Sequence, residues 1–305
     1  MTDTPAPADK LTLALTRDGS LRARICRVDG LVNELCRRHQ ASLLGKHMLA
    51  RGLAATAVFP VEFKGDNAMQ KVAVQWTGTG PSGTLFVELN ADGQMRGMGK
   101  GLQADTAVSV DDNGRAGHLQ FGDGYVSVLF QHAKGDPTRG QIETPFIDVD
   151  SDLQQWLATS AQVATRLFTL VRVPDDGGPV QATGLMVQAM PDIDDSDHKS
   201  LLINPQDLAH LPPDAPDFAL FTALFDGADY DVLDEHALSF GCPCSRERVE
   251  GSLMLVEDDQ MLAMITEDNG AEIDCQFCAE KYMFTAEDLQ KLLDEKQRQN
   301  PHNVH

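Results

Sequence analysis

With 305 residues, 42% of them hydrophobic, the chain is long enough for one large domain with smaller units beside it. Its 46 acidic residues against 25 basic ones leave a formal charge of -21, which repels a phosphate backbone at long range and speaks against nucleic acid as a partner. No window stays apolar for the length of a membrane span, and the opening MTDTPAPADK has no apolar stretch to drive secretion, so a cytoplasmic protein without a membrane partner is expected.

In chain order, residues 11–25 alternate apolar and polar on either side of Asp18-Gly19, which predicts a β-hairpin. From about Leu31 to Val58 the apolar residues recur at three and four (Leu31, Leu35, Leu43, Leu44, Met48, Leu49, Leu53, Ala57), the period of two helices that Pro60 stops. Short strands follow around Val72, Val74 and Trp76, around Leu85, Val87 and Leu89, and at 125–130, each bounded by glycine-rich turns. An amphipathic helix through Leu153, Trp156, Leu157, Ala161 and Val163 precedes strands at 166–173 and 184–190, which Asp175, Asp176, Gly177 and Gly178 separate. Residues 1–191, closed by Pro191, therefore read as a sheet-rich α+β domain with packed helices.

The next stretch, 192–240, holds 12 acidic residues and one basic residue, Lys199. Its Phe218, Leu220, Phe221, Leu224 and Phe225 have helical spacing, so it reads as a linker of short helices that need something else to pack on. A solvated connector is the plainer reading.

Gly78, Gly80 and Gly83 in GTGPSG match the dinucleotide pattern, but Pro81 sits in the turn and the strand-like TLFVEL follows where a helix should aim its amides at a phosphate. These glycines read as a turn. His39, His47, His132 and His236 lack metal-ligand spacing, and Ser127 and Ser160 lack a nucleophile-elbow setting, so no catalytic residue is assigned and the chain is not expected to be an enzyme. Cys26 and Cys36 read as small buried hydrophobes.

The remaining four of the six cysteines form two close pairs, Cys242-Pro243-Cys244 and Cys275-Gln276-Phe277-Cys278, with 30 residues between them. Two thiolates from each pair complete a tetrahedral site for one Zn2+ per chain if the intervening segment folds back, giving a small zinc domain over 241–305 with a flexible tail. An iron–sulfur cluster is the chemical competitor, although its usual motifs gather three cysteines locally. A closed structural staple is the more serious rival, because most four-cysteine zinc sites are of that kind.

Against the staple stands the C-x-C arm, whose thiolates are close enough in sequence to form a disulfide instead. Zinc–sulfur bonds of about 2.3 Å put tetrahedral sulfurs roughly 3.8 Å apart, whereas a disulfide needs about 2.05 Å, so oxidation and metal binding exclude one another. Structural zinc is worth on the order of 10–16 kcal/mol, comparable to a domain's whole stability, so its loss should unfold 241–285 and any element resting on it.

Cys242-Pro243-Cys244-Ser245-Arg246-Glu247-Arg248 far ahead of CQFCAEKYMF at 275–284, with GQMRG at 93–97, GDGYVSV at 122–128 and TGLMVQAMP at 183–191, resembles the heat-shock protein 33 family of redox-regulated chaperones through most of the chain. The resemblance implies an ATP-independent holdase, idle when reduced and zinc-bound, that oxidant and unfolding stress activate to bind unfolding client proteins. It also implies disulfides Cys242–Cys244 and Cys275–Cys278, a homodimer in the active state, and an N-terminal domain whose apolar surface a helical linker covers. The N-terminal extension, the acidic load of 192–240 and Cys26 and Cys36 depart from the family pattern. Two rivals come from other classes. A zinc-ribbon nucleic-acid binder would use Arg246 and Arg248, against the charge. A thiol-disulfide oxidoreductase would use C-x-x-C, here without a thioredoxin-like setting.

Overall fold

The computed structural model describes residues 8–59, 69–108, 121–144, 148–161, 164–174, 176–190, 208 and 211–299. The chain divides into two compact units, Met1–Gly241 and Cys242–His305.

In the first unit, β1 (Lys10–Thr16) and β2 (Leu21–Arg27) form the hairpin expected around Asp18-Gly19. The turn closes because Gly19 takes φ +75° and the Asp18 carboxylate accepts the Ser20 amide at 2.9 Å. Helix α1 (Asp29–His39) has no side-chain cap of its own, and the Asp9 carboxylate, 21 residues upstream, accepts the Gly30 and Leu31 amides instead. Helix α2 (Leu43–Ala57) starts on Ser42, whose hydroxyl accepts the Gly45 amide.

Strands β3 (Met69–Gly78), β4 (Thr84–Asn90) and β5 (Gln94–Gly99) are antiparallel neighbours, joined by β6 (Gly124–His132) and β7 (Thr138–Glu143). GTGPSG is the β3–β4 turn, as expected, and Gly78 is needed there because a Cβ would meet the Phe121 carbonyl oxygen at 2.0 Å. Helix α3 (Val149–Trp156) runs into one π-helical turn (Leu157–Ala161), after which the two expected strands, β8 (Thr165–Arg172) and β9 (Gln181–Ala189), pair antiparallel. Val163, assigned from sequence to that helix, lies outside the described residues, as do Pro60, Asp175 and Pro191.

Two sheets result, ordered β10-β1-β2-β9-β8 and β11-β5-β4-β3-β6-β7, where β10 is Tyr230–Ala237 and β11 is Ser239–Phe240. Helix α2 packs on strands of both, in a core that joins Leu11, Cys26 and Met186 of the first sheet to Val74, Trp76 and Leu85 of the second. Such a helix must be apolar nearly all round, and its inner faces carry Leu44, Met48, Leu49 and Leu53. Its one buried cation, Arg51, is neutralised by Asp148 at 2.5 Å and Asp150 at 3.4 Å.

The reading of 192–240 as a helical linker requires correction where it is described; 192–207, 209 and 210 lie outside the described residues. Helix α4 (Asp217–Leu224) matches the spacing of its apolar residues, but 230–237 is β10, an edge strand paired with β1. Val232 and Leu233, which point to opposite faces of this strand, are both exposed, so no apolar alternation marks it. This segment also supplies its own support: Leu208, Ala215, Leu220, Phe221, Leu224 and Phe225 cover the face of the first sheet formed by Ile25, Phe168, Leu170, Leu185 and Val187. Phe218 stands apart at 66% exposure, so it is already open in this closed arrangement.

The second unit holds α5 (Arg246–Leu253), α6 (Asp258–Thr266), the hairpin β12 (Gly270–Asp274) and β13 (Lys281–Thr285), and α7 (Ala286–Gln299). Its core is small: Leu253, Met261, Phe284, Leu289 and Leu293. A unit of this size gains little from burial alone and is of the kind that a metal commonly holds together.

Candidate metal centre

One cysteine pair is presented by an arm leading into a helix, the other by a hairpin tip. Cys242 and Cys244 precede α5, whose N-cap Ser245 accepts the Arg248 amide at 3.3 Å and so ends the extended arm directly after Cys244. Cys275 and Cys278 occupy the tip of the β12–β13 hairpin, beyond the last ladder pair Asp274↔Lys281. The tip is closed by the Ala279 amide on the Cys275 carbonyl at 2.8 Å and the Cys275 amide on the Glu280 carbonyl at 2.9 Å, with Ala279 in the left-handed region at φ 55°.

The arm and the hairpin tip bring all four expected ligands together, with their sulfurs within 4.8 Å of one another. Cys242 Sγ and Cys275 Sγ are 3.7 Å apart, and Cys244 Sγ and Cys278 Sγ are 3.3 Å apart. The first matches the separation of tetrahedral sulfurs around zinc, about 3.8 Å, the second is shorter, and both are far from a disulfide's, about 2.05 Å. All four cysteines are free thiols, Cys278 buried and the other three partly exposed. The cluster therefore fits a soft tetrahedral cation and leaves three sulfurs within reach of a small oxidant.

Burial pushes the Cys244 thiol up, but hydrogen bonds from Tyr282 and from the other three sulfurs outweigh it and hold Cys244 below its ordinary range. The Tyr282 hydroxyl, held by that bond, is raised correspondingly. Burial raises Cys278. Sequence reasoning missed Tyr282; its only signal was the alternation of K-Y-M-F, which puts it on the same strand face as the core residue Phe284.

Arg246 was also missed in its actual role. Its guanidinium donates to the Met283 carbonyl at 2.7 Å and to Asp288 at 3.0 Å, pairs with Glu250 at 3.2 Å and lies over the Phe284 ring at 4.2 Å. It fastens α5 to β13 and α7, which removes it as the free phosphate contact that a nucleic-acid binder needs. Cys26 and Cys36 sit in the first unit's core, where burial pushes both thiols up to about 12, the inert state expected of small hydrophobes.

A profile of the Hsp33 protein family matches residues 9–285. Among curated relatives, the 33 kDa chaperonin of Geobacter sulfurreducens is 31% identical over 94% of this chain and 95% of its own length. Those of Enterococcus faecalis and Bacillus subtilis are 31% and 30% identical, over 94% and 95% of this chain and 97% and 100% of theirs. The crystal structure of a 33 kDa chaperonin from Thermotoga maritima superposes with a TM-score of 0.83, at 20% identity, over 95% of this chain and 99% of that one.

Proposed function

Since this chain belongs to the Hsp33 protein family of chaperones, we propose that it is a redox-regulated holdase whose switch is the cluster of Cys242, Cys244, Cys275 and Cys278. The observation that carries this reading is four free thiols within 4.8 Å of one another, arranged for one tetrahedral cation and open to oxidant. In the reduced state the four thiolates hold Zn2+, which supplies charge compensation and the cross-link between the C-x-C arm and the hairpin tip.

Peroxide is attacked by an exposed thiolate, which becomes a sulfenic acid as hydroxide leaves; its neighbour then displaces the second hydroxide, so two electrons pass to the oxidant and one S–S bond forms. Cys242–Cys244 and Cys275–Cys278 are the pairs that family membership favours. Peptide mapping of oxidised protein separates them from the cross-arm pairs Cys242–Cys275 and Cys244–Cys278, whose sulfurs already stand 3.7 and 3.3 Å apart. Either outcome withdraws ligands, and the small core of the second unit is then too weak to persist.

The surface offered to clients is the first-sheet face beneath Leu208 and residues 211–225. Burying Leu220, Phe221, Leu224 and Phe225 there contributes about 6–12 kcal/mol gross. Ordering α4 and its C-cap Phe225 costs about 9–18 kcal/mol. The cover is therefore marginal and can be released without unfolding the rest of the unit. The partners are unfolding proteins of the cytoplasm, bound by a homodimer in the active state.

The test is light scattering from a heat-unfolding client, with the protein reduced or peroxide-treated at elevated temperature and zinc release followed in parallel by a chromogenic chelator. Suppression of aggregation by the oxidised, zinc-free form alone is the expected result. Oxidised protein that suppresses nothing, or that keeps its zinc, overturns the reading.

A further inference from the structure

One buried side chain, Arg27 at the end of β2, holds the cover segment at three points. It is 9% exposed. Its Nη1 donates to the Pro213 carbonyl at 2.9 Å, its Nη2 to the Ala215 carbonyl, and its Nε and Nη2 to Asp217 Oδ1 at 3.0 and 2.8 Å. The neighbouring strand adds one bond to the same stretch, from the Thr183 hydroxyl to the Pro213 carbonyl at 2.7 Å. Asp217 is the first residue of α4, and its second oxygen is held from the other side by Lys10 at 3.1 Å, which also reaches Glu235 on β10 at 2.8 Å.

The chemistry of this contact differs from that of the apolar cover beside it. A guanidinium stays charged at any physiological pH, and its planar fork satisfies several acceptors at once. Withdrawing it takes the charged donor from the Ala215 carbonyl and leaves the Pro213 carbonyl to the Thr183 hydroxyl and Asp217 to Lys10, a larger loss than one apolar contact. The clamp also sits at an open edge: a cavity of about 520 Å3 lined by Lys10, Arg27, Asp29, Pro216, Asp217 and Phe218 adjoins it, so water can enter as soon as the bonds part. Arg27 lies outside the metal cluster and outside the core that contains α2, so it can be altered with both left in place.

We propose that Arg27, through Asp217 and the Pro213 and Ala215 carbonyls, is the clamp that keeps the cover segment closed over the first sheet, so that its loss opens the segment while the four-cysteine cluster still holds its metal. The consequence for client binding rests on the preceding reading of that sheet face; the opening itself does not.

The test uses full-length Arg27→Gln and Asp217→Asn, reduced and zinc-loaded. Residues 200–245 contain neither lysine nor arginine, so chymotrypsin is the informative protease, cutting after Phe221 and Phe225, which are buried while the segment is closed. Cleavage there at least ten-fold faster than in wild type is expected, with zinc retained. The emission of Trp76 and Trp156, both in the other core, should be unchanged. Wild-type cleavage rates in both folded variants overturn the clamp. If Arg27→Gln alters the tryptophan emission, the decision passes to Asp217→Asn, whose side chain is partly exposed and tolerates the change. A variant that opens yet suppresses no aggregation supports the clamp and refutes the assignment of clients to this face.

Discussion

Replacing His47 by glutamine should flatten the acid sensitivity of the first unit. His47 lies on α2 at 2% exposure, and its Nδ1 has no hydrogen-bond partner among the described residues. Burial, and then the Arg51 guanidinium one helical turn away, push its pKa from 6.5 down to about 4. The folded state therefore refuses a proton that the unfolded chain accepts. Stability from this group is complete above the unfolded value of 6.5 and is lost as pH falls towards 4. The full loss is about 3 kcal/mol and the loss at pH 5 about 2 kcal/mol, at 1.36 kcal/mol per pH unit. Asp148 and Asp150, which pair with Arg51, and the cysteine cluster are common to both proteins and drop out of their difference. Urea unfolding followed by Trp76 and Trp156 emission at pH 8 and pH 5 is the assay. Wild type should lose about 2 kcal/mol more than His47→Gln, a relative shift of about 1 M in midpoint for a slope near 2 kcal/mol/M. Equal losses in the two proteins would refute the argument that a buried neutral imidazole limits stability here.

Cys275→Ser should weaken zinc binding by more than about 100-fold, since even outer-shell changes cost 10–100-fold, and should loosen 242–285 without oxidant; chelator competition and hydrogen exchange check this, and wild-type affinity contradicts it. Ala279→Gly should stabilise the metal-loaded second unit by up to about 1 kcal/mol, because Ala279 holds φ 55° and pays the left-handed penalty that glycine escapes; a lower melting temperature would count against it. Gly45→Ala, ordinarily a gain of about 1 kcal/mol in a helix, should instead cost more than 2 kcal/mol, since the new Cβ would meet the Leu102 carbonyl oxygen at 2.0 Å. Thermal unfolding reports the sign directly.

Much of the fold is local and could be read in advance. The β1–β2 hairpin follows from alternation around Asp18-Gly19, α1 and α2 from their three-and-four spacing, and the GTGPSG turn from Pro81 and the strand that succeeds it. Strands β5 and β7 escaped because the glycine-broken stretches QMRGMG and TRGQIE show too few apolar positions to set a period. Helix α4 was visible, but a helix apolar nearly all round cannot reveal which residue faces out, and Phe218 rather than Phe221 or Phe225 proved to be the exposed one.

The cysteine cluster belongs to what the sequence alone determined, because a tetrahedral ion needs four donors and two tight pairs are a sufficient statement of that need wherever the intervening chain travels. What covers the first sheet was decided only in three dimensions. Arg27 and Asp217 are 190 residues apart, and neither carries a local mark of the other. Their pairing exists because the end of β2, the central strand of its sheet, meets the start of α4, and contacts between distant segments depend on the packing of everything that brings them together.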